Sequence, residues 1–367
     1  MLAIAVIGAG FGDEGKGLMT DYFVSKGDPS KTVVVRFNGG AQAGHTVVTP
    51  GGVRHVFHHF GSGTLLGAIT FLSKFFIVNP VLWRKEIDEL EALGIDPKVC
   101  VDRSALLTTP YDMLINQEKE RLRGPKRYGS CGAGIDETVA RGATPFGTTV
   151  WSTFGDLRRK LKEIRTEWVP KRMEGLEPSE KFWSRVNSDG ILERFLGDAR
   201  AFSHSTLPLY SDALDADNII FEGAQGLLLD QDFTQFAPFL TTSKTGLTNV
   251  MHIARAAKID EVVPVYVIRS YMTRHGAGPF PTEDAWIPFL DDTNVHNEFQ
   301  GSLRFGRMDF DLVNEAIQRD IELNPGRGDA VMAVTHLDQA STDHYRFYLP
   351  VSYTISGPTR KNVTQWG

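Results

Sequence analysis

The residues best suited to chemistry lie in one glycine-rich stretch, Gly10-Phe11-Gly12-Asp13-Glu14-Gly15-Lys16-Gly17. From Gly10 to Lys16 it fits G-x-x-x-x-G-K, a loop whose backbone N–H groups, added to a helix N-terminus, cradle phosphate. Lys16 would add a point charge. The next position should carry the Ser or Thr that binds Mg²⁺, and here it is Gly17. Another oxygen must then hold the metal, and Asp13, inside the loop, is the obvious one. A carboxylate in an anion-binding loop is costly unless it binds metal or handles protons. A dinucleotide reading fails, because Gly8-Ala9-Gly10 requires glycine at position 13 and meets Asp13. His45 sits in a second glycine-containing loop with no apolar stripe to serve, which marks it as a working group. Cys131 reads equally well as a small buried residue. His55, His58 and His59 resemble a metal cluster, yet in an alternating strand they point to both faces, so a structural role is expected.

These residues need elements to hold them. Leu2–Ile7 is a short apolar run that reads as a buried strand, and Lys16–Val24 as the helix after the loop. Thr32–Phe37 repeats the pattern of strand and glycine-rich loop. Pro80–Leu93 has helical spacing with Pro at its start. Asn218–Phe221, Val262–Ile268 and Ala330–Val334 read as further strands, and Asp309–Leu323 as an amphipathic helix. Alternating strands and helices predict an α/β fold, P-loop-like, with a mainly parallel central sheet flanked by helices. Residues 1–367 are expected to form one domain, with the charged helical stretch 155–200 (Asp156–Trp168, then Glu180–Phe195) as a peripheral insertion.

Composition narrows the class. The chain has 367 residues, 41% of them hydrophobic, which suits a large core. A net charge of -6 argues against a protein that coats nucleic acid, while leaving small phosphorylated ligands open. Two cysteines are too few for a disulfide framework, and no run approaches membrane-spanning length, so a reducing cytoplasm is expected and no membrane.

Gly12-Asp13-Glu14-Gly15-Lys16-Gly17 followed by Gln42-Ala43-Gly44-His45-Thr46 strongly resembles the adenylosuccinate synthetase family. Further stretches agree in order: Gly129-Ser130-Cys131-Gly132, Phe221-Glu222-Gly223-Ala224-Gln225-Gly226, Thr273-Arg274-His275-Gly276 running on to Thr282-Glu283, and Ser356-Gly357-Pro358. The family couples GTP hydrolysis to addition of aspartate at C6 of a 6-oxopurine nucleotide. The resemblance implies that Asp13 removes the N1 proton and ligates Mg²⁺, with the Gly44 carbonyl joining the metal shell. His45 would be the acid beside O6 and the transferred phosphoryl group. Gly12, Gly15, Lys16, Gly17, Thr46, His336, Asp338, Ser356 and Gly357 would take the nucleoside triphosphate. Gln42, Ser130, Cys131, Gln225 and Thr245 would hold the purine nucleoside monophosphate. Arg141 matches an arginine that the family supplies across a dimer interface, which implies a homodimer.

Three departures bear on specificity. The family's guanine-reading Lys is His336 in Thr335-His336-Leu337-Asp338, whereas the carboxylate is kept; a carboxylate pairs with guanine N1–H and N2–H₂, so GTP is expected over ATP or dATP. The arginine-rich aspartate loop is reduced to Gln300-Gly301-Ser302-Leu303-Arg304-Phe305-Gly306-Arg307, which leaves Arg304 and then Arg307 for the L-aspartate carboxylates. Gln42 replaces the usual Asn. Shortening, the loosened loop and Leu18 resemble the phage branch that acts on dGMP to make 2-amino-deoxyadenylosuccinate, although phage members often carry Ser at the position of Asp13. The expected substrate is therefore dGMP, with IMP as the alternative. A reading of another class, a P-loop switch that hydrolyses nucleotide without ligation, is opposed by Gly17 and His45.

Overall fold

The computed structural model describes residues 2–366 except 288, 290, 292, 293, 295–300 and 341–345, so Gln300 of the reduced arginine loop lies outside the described residues. Ten strands form the central sheet: β1 (Leu2–Gly8), β2 (Thr32–Arg36), β5 (Ile69–Leu72), β6 (Val99–Asp102), β7 (Leu207–Leu209), β8 (Asn218–Gly226), β9 (Glu261–Arg269), β12 (Val331–Thr335), β13 (Val351–Ile355) and β14 (Val363–Gln365). Their order is β14-β13-β12-β9-β1-β8-β2-β5-β6-β7. Every neighbouring pair is parallel except β13 and β14. Two antiparallel hairpins stand outside the sheet, β3 (His45–Val48) with β4 (Arg54–Phe57), and β10 (Met272–Arg274) with β11 (Arg304–Gly306).

Side-chain alternation explains why the apolar runs became central strands. Along β1, Ala3, Ala5 and Ile7 join one core cluster with Phe221, Val250 and Ile317. Val6 faces the opposite side, against Met19, Phe23 and Val24 of helix α1 (Lys16–Val24). Strands buried on both faces carry few polar residues, which is why they read as continuous hydrophobic runs.

A second core covers the β5–β6–β7 end of the sheet. Its helices are α2 (Pro80–Ala92), α3 (Pro110–Arg123), α5 (Leu157–Glu163), α6 (Val169–Arg172), α7 (Glu180–Val186) and α8 (Asp189–Ser205), while α4 (Ile135–Gly142) packs through Ile135 and Val139 on a small separate cluster with Ile77 and Ala133. Stretch 155–200 packs into this core: Leu161, Trp168, Phe182 and Phe195 are buried in one cluster with Trp83, Tyr111 and Phe60. The charges that suggested an insertion lie on the outer face, where Arg158 pairs with Glu193 and Arg165 with Asp189. The expected helix over 180–195 is two helices, because the Ser188 side chain accepts the Ile191 N–H and caps a new start. Helices α9 (Leu247–Ala256) and α10 (Phe310–Leu323) cover the other face at the β1–β9 region.

Candidate active site

Parallel sheets collect ligands beyond the carboxyl ends of their strands. That edge carries the loop after β1, the segment 37–44 after β2, the end of β8, the turn after β9 and the residues after β12. They enclose a cavity of about 660 Å³ lined by Asp13, Lys16, Gln42, Gly44, His45, Thr46, Ser130, Cys131, Gln225, His336, Asp338 and Gly357, among others.

The phosphate loop is built from left-handed residues: Gly12 at φ 104°, Asp13 at 62° and Gly15 at 96°. Asp13 pays strain there, a cost characteristic of functional positions. Below the loop, Glu14 turns inward and is 1% exposed. Its Oε1 accepts the Gly10 and Gly12 N–H groups at 3.1 and 2.8 Å, and its Oε2 pairs with Lys16 Nζ. Lys16 is thus aimed and neutralised by its own loop. The missing hydroxyl at Gly17 also has a steric cause. A Cβ there would lie 3.1 Å from Ser62 Oγ, 3.1 Å from the Thr46 carbonyl and 3.2 Å from His45 Cβ. The hairpin that brings His45 to the site occupies the space a serine would need.

His45 opens β3 and is buried against the end of β8. Its Nδ1 is 2.7 Å from Glu222 Oε1, and Glu222 also accepts the Ser62 N–H at 3.0 Å and the Ser62 hydroxyl. Burial works to raise the Glu222 carboxyl, but His45, Arg36 and Ser62 outweigh it and bring it down to about 2. Burial, followed by the charge of Arg36, pushes His45 down to about 4. With Nδ1 committed to a carboxylate, Nε2 is left buried and without a partner. Gln42 Oε1 and Nε2 and Gln225 Oε1 are unpartnered in the same way. Unsatisfied buried polar atoms that line a cavity are what a polar ligand completes.

At the far end, His336 sits at φ 59°, with Nδ1 2.7 Å from Thr335 Oγ1. Burial, then Arg269, pushes its imidazole down to about 3. Asp338 and Gly357 line the same region, while Ser356 is not among the lining residues. Cys131 lines the cavity with its thiol pushed up by burial, and Ser130 Oγ accepts from Asn116 Nδ2 at 2.8 Å. His59 is tied to Glu86 at 3.1 Å, which gives it the expected structural role.

Several residues stand elsewhere than expected. Thr245 is absent from the cavity wall; its N–H and hydroxyl both donate to Asp230. Thr241 lines the wall instead. Arg141 is fully buried and uses all its N–H groups internally, on Asp112, the Phe146 and Leu107 carbonyls and Thr148. It cannot project into a neighbouring subunit, which removes the residue on which the homodimer expectation rested. Arg304 pairs with Glu283 and the Gly276 and Gly278 carbonyls, and Arg307 lies exposed beside Asp284; neither lines the cavity.

Sequence reasoning gave no role to Glu222, Arg269, Arg274 or His275. Glu222 and His275 were visible within family-like motifs, but only folding brings Glu222 to His45. Arg274 lines the cavity with its guanidinium over the Phe11 ring at 4.4 Å and its N–H groups on the Pro279 and Phe239 carbonyls. Burial lowers it to about 10.

A family model described as adenylosuccinate synthetase matches residues 5–359. The adenylosuccinate synthetase of Clostridium beijerinckii is 34% identical over 296 residues, covering 77% of this chain and 66% of that protein. The one from Synechococcus sp. (strain CC9902) is 35% identical over 292 residues, covering 76% and 63%. The match thus spans just under two thirds of the length of these relatives. Among solved structures, the fully ligated adenylosuccinate synthetase from Plasmodium falciparum superposes with a TM-score of 0.75 at 18% identity, covering 100% of both chains. The cyanophage S-2L succinoaminodeoxyadenylate synthetase (PurZ), bound to dGMP and dATP as an energy donor, does so at 0.60 and 15% identity, covering 99% of this chain and 95% of that one. At such identities these two structures speak for the fold. With the family match running through nearly the whole chain, this protein belongs to the adenylosuccinate synthetase family.

Proposed function

We propose that the protein is a ligase that spends a nucleoside triphosphate to join L-aspartate to C6 of a 6-oxopurine nucleotide. The observation that carries this reading is the opening of Asp13 and His45, from separate loops, onto one cavity with unpartnered glutamine side chains. Asp13 takes the proton from purine N1, and O6 attacks the γ-phosphorus as the nucleoside diphosphate leaves. A carbonyl oxygen becomes a leaving group only once it is phosphorylated. The aspartate amine then adds at C6, phosphate departs with O6, and a proton is released.

His45 faces this exchange through Nε2. Glu222 holds Nδ1–H, so donation from Nε2 requires the imidazolium. The phosphates of the bound donor supply the negative potential that favours it. Mg²⁺ suits the donors on offer, the Asp13 carboxylate and the Gly44 carbonyl, because it takes hard oxygen ligands and fills its shell with substrate phosphates. When bound it would neutralise charge on the transferring phosphoryl group. Among the described residues no three His, Cys, Asp or Glu side chains gather into a metal site of their own. Arg304 would reach an aspartate carboxylate by giving up Glu283 for it.

The favoured nucleotide is dGMP, supported by the reduced arginine loop and by the likeness in fold to the dGMP-bound cyanophage enzyme. IMP is favoured by the retained Asp13 and the identity to curated adenylosuccinate synthetases. GTP is the proposed donor, because Asp338 lines the cavity and can accept from guanine. The test follows phosphate release with aspartate, pairing dGMP or IMP with GTP, ATP or dATP. Turnover of IMP alone would sink the dGMP reading; release independent of aspartate would sink the ligase.

A further inference from the structure

Asp13 must present one carboxylate oxygen in a definite direction, although its side chain stands on a glycine-rich loop and is 23% exposed. The structure holds it from outside the loop. His275 follows β10 and lines the cavity. Its Nε2 lies 3.4 Å from Asp13 Oδ2 and 3.1 Å from Asn294 Oδ1. The Asn294 amide is itself oriented, since its Nδ2 donates to Asp291 Oδ2 at 3.0 Å and so turns the oxygen to His275. The Asn294 amide oxygen can only accept, so Nε2 carries the hydrogen, and Asp13 Oδ2 lies beside that N–H at 3.4 Å. Nδ1 is then an acceptor, buried and without a partner on the cavity wall.

The contacts continue back to the loop. Asp291 accepts the Asn294 N–H at 3.0 Å and Arg269 Nη2 at 2.9 Å. Arg269 Nε donates to the Asp13 carbonyl at 2.5 Å. One connected set of side chains, all from segment 269–294, thus reaches Asp13 through a hydrogen bond at its backbone carbonyl and through the 3.4 Å approach of the His275 ring at its carboxylate. A set of oriented groups on one side of the carboxylate narrows the freedom that a lone carboxylate on a turn would keep, and occupying one oxygen leaves the other for the ligand.

We propose that His275, set by Asn294 and Asp291, is a positioning residue that aims the Asp13 carboxylate. This rests on the reading of Asp13 as the base in the proposed ligase. His275→Leu removes the donor, His275→Gln returns an amide N–H within reach, and Asn294→Ala leaves the imidazole but frees it. The Leu variant should lose about ten- to a hundredfold in kcat, with KM for the two nucleotides and aspartate within about twofold, because misaimed groups cost turnover rather than binding. The Gln variant should recover most of that loss, Asn294→Ala should fall between them, and the melting temperature should stay in place. In the free protein carrying ¹⁵N-labelled histidine, the His275 Nε2 resonance should shift on Asp13→Asn.

A Leu variant with kcat within twofold of the parent overturns the proposal. So does a Gln variant no better than Leu, or a His275 resonance unmoved by Asp13→Asn. If the parent protein shows no aspartate-dependent phosphate release, the ligase reading fails by itself, and the resonance still decides whether His275 holds Asp13.

Discussion

At the scale of single residues, the site rests on Asp13 and His45, each set beside a partner from another element. Asp13→Asn should abolish turnover with the far-ultraviolet spectrum and melting temperature unchanged; near-normal activity would remove Asp13 from its role. Glu222→Gln keeps the shape beside His45 but not the charge, so kcat should fall by about tenfold to a hundredfold as the imidazolium loses its counter-charge. Acid sensitivity follows from the same burial. His45 and His336 are pushed down to about 4 and about 3 in the folded chain, against 6.5 as the ordinary value. Between those values and 6.5 the unfolded chain binds more protons, so stability is full above 6.5 and falls as the pH drops. For His45 the loss from pH 6.5 to 5 is about 2 kcal/mol. Denaturant melts across that range check it, and a His45→Gln variant should show a shallower slope. Equal slopes would mean that the imidazole is not the group responsible.

At the scale of elements, much was legible. The apolar run Leu2–Ile7, the glycine loop and the helix from Lys16 stand where their pattern put them, because a strand buried on both faces leaves an unmistakable signature. Thr245 and the two loop arginines stand off the cavity wall for a physical reason: motif order shows which loop a residue is on, not which way its side chain turns. Arg304 and Glu283 lie 21 residues apart and meet only once β10 pairs with β11. The buried stripe of stretch 155–200 was hard to see because a helix with one buried face shows mostly charge in sequence. The Gly17 gap belongs to this scale as well. Gly17→Ser should not restore a metal ligand; it should press on Thr46 and His45 and cost about 1–3 kcal/mol of stability, read by denaturant melts, with activity lower rather than higher. A more active serine variant would refute the steric explanation.

At the scale of the molecule, Arg141 shows how a family-like position can serve the interior. Its bidentate pair with Asp112 joins α4 to the start of α3, with neither side chain exposed. Arg141→Leu should therefore destabilise the protein by about 3–5 kcal/mol by stranding the Asp112 charge, with the effect seen in melting before any change in substrate affinity. A variant of normal stability and weak nucleotide binding would reverse that assignment.

Strand β1 lies between β8 and β9, so the seven residues that lead into the phosphate loop have neighbours drawn from beyond residue 217. On the ribosome this apolar strand waits for roughly 200 more residues, on the order of 10–40 s at usual elongation speeds. Until then it is a sticky ribbon with two vacant edges. The working loop thus hangs from the strand most in need of a chaperone's shelter, and yield in a cell should depend on holdase supply more steeply than the finished fold's stability would suggest.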